Sequence, residues 1–339
     1  MFVQRPAVIL VALALAVGLA VQPAVARGAG QAPRVAIIVG PVGPELTPIY
    51  IQLAEAAARV AESHGAVVAR AYSPYAHASN VIAAVEGANA VVYFGHGVGS
   101  PNPYSATPNP ATTNGWGLNG PGRRGDHSDS WKDSSLKYFG EAWIAEHARP
   151  APGWVMIYSN ACYAAGAPEP WMEPATADEA AARVRAYSAT PLARMGASAF
   201  FATDFYEGAA HLLNSLLGNP TTSYGEAFAT EPAFEAGALS RIADPAGGTG
   251  ELWLHRSAYF DGRMDYWYAF AGDPAESPAT RMLAGTTAAA VQSMTVVPPT
   301  GDAVTGDRAA ALDFGAAALT VLVGGATVEP VVTGAGSPR

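Results

Sequence analysis

Val91-Val92-Tyr93-Phe94-Gly95-His96-Gly97 is an apolar run of strand length that stops at a histidine. A second such run, Trp154-Val155-Met156-Ile157-Tyr158-Ser159-Asn160-Ala161-Cys162, stops at the only cysteine of the chain. Runs apolar on both faces suit the inner strands of a parallel sheet covered on each side. Laid side by side and parallel, the two would deliver His96 and Cys162 to one carboxyl edge, where open α/β sheets bind ligands. A histidine and a thiol meeting there are a candidate base and nucleophile. Taken singly, each has a plain structural explanation, a chance histidine and an inert core thiol. Their coincidence at two strand ends favours chemistry.

The flanking sequence fits the same sheet. Arg34 to Gly40 predicts a fully buried strand closed by Gly-Pro punctuation, and Ala66 to Tyr72 a second. Between them, Thr47 is expected to cap and Pro48 to open a helix, with Ile49, Leu53, Ala56 and Val60 on its apolar face and Glu55 paired to Arg59 outside. His64-Gly65, the other His-Gly in the chain, falls where that helix stops. Gly there takes the left-handed cap and His favours the helix dipole. Ser79 to Glu86 predicts a short helix leading into the strand that ends at His96. This β-α-β-α-β series implies a parallel sheet with local order strand two, one, three.

Beyond Cys162, Thr176-Ala177-Asp178-Glu179 is a capping box opening a helix to about Tyr187. Ala197 to Thr203 predicts a fifth strand ending at Asp204, Phe205 to Leu217 a helix, Tyr224 to Leu239 one or two more, and Tyr266 to Ala271 a sixth strand. The expected fold is α/β with a mostly parallel six-stranded sheet. A polar insertion fills residues 98–150, with Tyr138 to His147 as a returning helix. Loops of this length are usually functional or mobile, and this one starts beside His96. From about Glu276 the runs Met294 to Val297, Leu319 to Val323 and Val328 to Val332 predict either a small β appendage or a loosely ordered tail.

The chain has 339 residues and a formal charge of -9. An acidic chain is a poor partner for phosphate backbones, so no nucleic-acid role is expected. Arg5, the apolar run Ala7 to Val21 and the small-x-small step Ala24-Val25-Ala26 read as a secretory signal over residues 1–26, with a mature start near Arg27. That run is too short to span a bilayer, and no later segment is a stable membrane anchor. The protein is therefore expected to be secreted or extracytoplasmic. A lone thiol in an oxidising compartment is a liability unless it is buried or used. Gly40-Pro41-Val42-Gly43-Pro44 is not a dinucleotide fingerprint, and its prolines remove amides that a phosphate would need. Asp126-His127-Ser128-Asp129 lacks the further ligands of a calcium loop, so neither cofactor nor metal is expected.

Thiol attack on a carbonyl needs a thiolate, a proton donor for the leaving group and donors for the oxyanion. An adjacent imidazole lowers a thiol's pKa, so His96 and Cys162 are expected to supply a ready pair. The N–H groups of Gly97 and Cys162 are the candidate oxyanion donors. Asn160 and Tyr163 flank the thiol, where they orient or line the site or simply pack. Asp204, at the same edge, is either a receptor for a basic substrate side chain or a helix N-cap.

An apolar block ending in His-Gly, followed 66 positions on from His96 by Asn160-Ala161-Cys162, resembles the caspase-like cysteine peptidases of clan CD, which include caspases, legumain, gingipain and the CHAT domains. Met195-Gly196-Ala197-Ser198-Ala199-Phe200-Phe201, Tyr224-Gly225-Glu226-Ala227-Phe228 and Phe270-Ala271-Gly272-Asp273-Pro274 are similar to later motifs of gingipain-like and CHAT chains. The resemblance covers residues 34–275. It implies a three-layer α/β, caspase-like (flavodoxin-like) fold with His96 as general acid/base, Cys162 as the nucleophile that forms a thioester, and Gly97 as oxyanion donor. Tyr163-Ala164-Ala165-Gly166 departs from the family pattern after the cysteine, so the specificity pocket does not carry over. The function implied is an exported endopeptidase acting on a peptide or protein substrate. The competing expectation is a catalytically silent domain that binds at the cell surface through its tail or the aromatic loop around Trp116.

Overall fold

The computed structural model describes residues 32–104, 107–120, 136–243, 250–259 and 262–284, with four short strands beyond. The expected signal over residues 1–26 and the Asp126–Asp129 tetrad lie outside the described residues. In chain order the elements are β1 (Arg34–Val39), α1 (Leu46–Ser63), β2 (Val67–Tyr72), α2 (Ala78–Val85), β3 (Ala90–Phe94), β4 (Trp116–Asn119), β5 (Leu136–Phe139) and α3 (Glu141–His147). There follow β6 (Val155–Ser159), α4 (Ala177–Ala189), β7 (Ala199–Thr203), α5 (Gly208–Gly218), α6 (Tyr224–Phe228), β8 (Leu239–Ala243), β9 (Glu251–Tyr259) and β10 (Arg263–Gly272).

One eight-stranded sheet runs in the order β2-β1-β3-β6-β7-β10-β9-β8. The first five strands are parallel and the last three antiparallel. The expected order two, one, three is present, but the sheet has eight strands rather than six. β9 was hidden because His255 and Arg256 interrupt its apolar run, and β8 because its exposed Ser240 and Arg241 leave no unbroken apolar stretch.

Alternation along the parallel strands divides the core in two. Val35, Ile37 and Val39 face a layer formed by α1, α5 and α6. Ala36 and Ile38 face the opposite layer of α2, α3 and α4. Burial on both faces is what makes these strands read as unbroken apolar runs.

Helix α1 departs from its expected detail. Its N-cap is Glu45, without a side-chain bond. Thr47 lies inside the helix, and its hydroxyl accepts the Val42 N–H at 2.9 Å, fixing the loop after β1. The buried stripe is Ala54, Ala57, Ala58 and Ala61, while Ile49 is 39% exposed. Small side chains let α1 lie close to the sheet, while Leu53 and Val60 of the expected face pack partly buried against the same core. Glu55 pairs with Arg70 of β2 at 2.8 Å rather than with Arg59. At the far end Gly65 takes φ 80°, and His64 bonds Asn214 of α5 at 3.0 Å.

Within the insertion, Tyr138 belongs to β5, which pairs antiparallel with β4, and the helix begins only at Glu141. In the tail, Thr295–Val297, Val304–Thr305, Thr320–Val323 and Ala326–Val328 form a separate four-stranded antiparallel sheet. Packing of the main body continues past residue 275, since Met282 is fully buried in its core.

Candidate functional site

β3 and β6 are neighbours in parallel register, with Phe94 opposite Ser159, so the segments that follow them leave the same edge. His96 and Cys162 both line one cleft of about 450 Å³ there. The strand order reverses between β1 and β3, and Val42 from the loop after β1 also lines the cleft. This is the crevice beside a switch point that the topology of open sheets offers to ligands.

Cys162 sits in a strained turn. Asn160 has φ 53° and Tyr163 φ 70°, both left-handed and neither glycine. Such conformations persist only where the surroundings hold them. Asn160 is held at four points. Its N–H donates to Thr203 O at 2.7 Å, its side-chain amide donates to Asp204 O at 2.8 Å, its Oδ1 accepts from Ser159, and its carbonyl accepts from Tyr50 at 3.3 Å. Tyr163 donates its N–H to Ala167 O at 2.8 Å and its hydroxyl to Glu169.

Gly97 packs directly on this turn. A Cβ there would stand 2.0 Å from the Cys162 carbonyl oxygen, so the close approach requires glycine. Among the described residues the Gly97 N–H finds no acceptor. The Cys162 N–H acts on its own sulfur and is the one influence that lowers that thiol's pKa.

Electrostatically the pair is neutral, which reverses the expectation of a ready thiolate. Burial pushes the half-buried Cys162 thiol well above its usual range, and the Asp204 and Glu169 carboxylates push it further. Burial also lowers His96 to about 4. No hydrogen bond joins the two side chains, and His96 Nε2 is buried without a partner. Catalytic hydrogen bonds are often loose in an unliganded site.

The remaining candidates are distributed as follows. Tyr163 lines the cleft, and Asp204 does not. Asp204 is buried, its carboxyl raised well above the usual range by desolvation and by Asp265, and it caps no helix, because the N-cap of α5 is Glu207. Trp116 is buried, so it is no surface aromatic. The exposed aromatics at the cleft are Tyr104 and Trp171.

Sequence reasoning missed Tyr50, Glu169, Trp171 and Arg183. Buried Arg183 of α4 donates to Pro101 O at 3.0 Å and Gly166 O at 2.9 Å, joining the loops that follow His96 and Cys162. Pro168-Glu169-Pro170-Trp171, an acid and an aromatic held by prolines shortly after the thiol, was the available signal for the first wall of the cleft. Among the described residues no cluster of His, Cys, Asp or Glu could hold a metal ion, and no helix is long and apolar enough to cross a membrane. A more open hollow of about 500 Å³ on the antiparallel side, lined by Glu235, Arg256 and Ser257 among others, contains neither a cysteine nor a histidine. No family model matches the chain, and no curated protein matches it in sequence.

Proposed function

We propose that the protein is an exported cysteine endopeptidase of the caspase-like kind, with His96 and Cys162 as its dyad. What carries the reading is the convergence of both residues in one cleft at the ends of adjacent parallel strands. The strained turn around Cys162 and the glycine pressed against it support it.

Starting from a neutral pair, the thiol proton passes to His96 as Sγ bonds to the substrate carbonyl carbon. The N–H groups of Gly97 and Cys162 receive the oxyanion. Donors of this kind are worth roughly 3 kcal/mol each in barrier. The imidazolium then gives its proton to the departing amine as the C–N bond breaks, leaving a thioester. His96 next takes a proton from water, whose oxygen displaces Sγ, and returns a proton to the sulfur. Keeping the thiol protonated between turnovers protects it from oxidation, because the thiolate is the reactive form.

Cys162→Ala and His96→Ala should each abolish peptide hydrolysis, and the double variant should be no worse than either. His64→Ala should leave turnover intact and cost at most about 1 kcal/mol of stability. The absent His96–Cys162 hydrogen bond favours a second reading, a silent binding module. Peptide binding without hydrolysis by the unaltered chain would establish that reading in place of the first, and hydrolysis by Cys162→Ala equal to that of the unaltered chain would remove the thiol from the chemistry.

A further inference from the structure

Among the described residues lining the cleft, Glu169 is the one charged side chain, since His96 is held neutral by burial. Glu169 is 8% exposed. Its carboxylate accepts the Tyr163 hydroxyl and lies close enough to Cys162, Tyr104 and Tyr138 to raise the proton affinity of all three. No described Lys or Arg pairs with it. The two guanidinium groups in the neighbourhood are committed elsewhere. Arg183 lies over the Tyr163 ring and donates to Pro101 O and Gly166 O. Arg263 pairs with Asp265 at 2.7 Å and reaches only the backbone carbonyls of Glu169 and Pro170. A nearly buried carboxylate without a counter-charge is costly.

Aromatic rings surround this carboxylate. Tyr104, Tyr138 and Tyr163 line the cleft around it, and Trp171 stands at the rim with 74% of its surface exposed. A guanidinium suits such a place. It is planar and weakly hydrated, stacks on aromatic faces and pairs with carboxylates through two hydrogen bonds. An ammonium meets the same charge but stacks less well.

We infer that Glu169, walled by Tyr104, Tyr138, Tyr163 and Trp171, receives the basic side chain of the substrate residue whose carbonyl Cys162 attacks, arginine before lysine. This rests on the peptidase reading of the same cleft. A docked cation would also offset the repulsion that Glu169 exerts on a forming thiolate, so recognition and activation would coincide.

The test compares peptide amides that differ only in arginine, its neutral isostere citrulline, lysine or glutamate at that position. With the full chain, kcat/KM for arginine should exceed that for citrulline by at least about 30-fold, as expected of a charge-assisted pair. Glu169→Gln should bring that ratio to near one. Binding of the same peptides to Cys162→Ala should show the same preference. Equal handling of arginine and citrulline by the unaltered chain overturns the inference, and this comparison needs no variant to fold. Hydrolysis without charge preference would leave the peptidase reading standing alone. Arginine-selective binding without hydrolysis by the unaltered chain would leave only the cation site.

Discussion

Cys162 and His96 were legible because each ends an apolar run, a pattern that depends only on local sequence. Their charge state was not, because it depends on what the fold packs around them. Asp204 and Glu169 approach the thiol from segments distant from one another in sequence. Depression of His96 to about 4 gives a test with a definite sign. The unfolded histidine takes up a proton as pH falls through about 6.5, whereas the folded one resists until about 4. Between those values the unfolded state binds more protons, so stability is lost as the pH is lowered, by at most about 3 kcal/mol for this residue. His255, also lowered by burial, acts in the same direction, while Asp204, with its raised carboxyl, opposes it. Comparison with His96→Gln isolates the His96 share. Urea denaturation at pH 7 and pH 4 should show the advantage of the unaltered chain over the variant shrinking by that amount. A constant difference would mean that the imidazole is not desolvated.

At the scale of elements, capping and period served well where the signal was local. The Thr176–Glu179 box opens α4 as written, and a second box, Ser223–Glu226, opens α6. β9 escaped because its inward His255 is a buried polar residue held by tertiary packing, with Nε2 accepting the Glu235 N–H at 2.9 Å while Nδ1 has no partner among the described residues. Nor does a helix pattern show that Arg183 of α4 ties two loops together. Replacing Arg183 by Met would keep much of its bulk but strip hydrogen bonds from the carbonyls of Pro101 and Gly166. Leaving such acceptors unpaired costs about 1–3 kcal/mol apiece. Because those loops carry His96 and Cys162, turnover should fall further than stability. Melting temperature and kcat measured on Arg183→Met would show this, and unchanged kcat in a variant that melts lower would reduce Arg183 to a stabilising role.

For the whole molecule, the resemblance placed the boundary of the folded body near residue 275, where its last motif ends. The structure carries the packed chain further, along the amino edge of the sheet and away from the cleft. Tyr224 N–H donates to Glu276 O at 2.7 Å and Ala279 N–H to Pro220 O at 2.8 Å. Asn89 joins this segment to the start of β1, accepting the Arg34 N–H at 2.9 Å and donating to Met282 O at 2.8 Å. A sequence boundary drawn from motifs could not register a plug made by one methionine in a Pro-rich stretch. A chain ended after Ala284 keeps Met282 and should melt with the full chain. One ended after Ala275 loses that buried side chain and leaves the Asn89 amide unpaired. Emptying a buried Met site costs about 2–5 kcal/mol, and the orphaned amide adds about 1–3 kcal/mol. Denaturant titration of the two truncations should therefore separate them by at least about 3 kcal/mol. Coincident curves would show that the body closes at residue 275, with Met282 only resting against it.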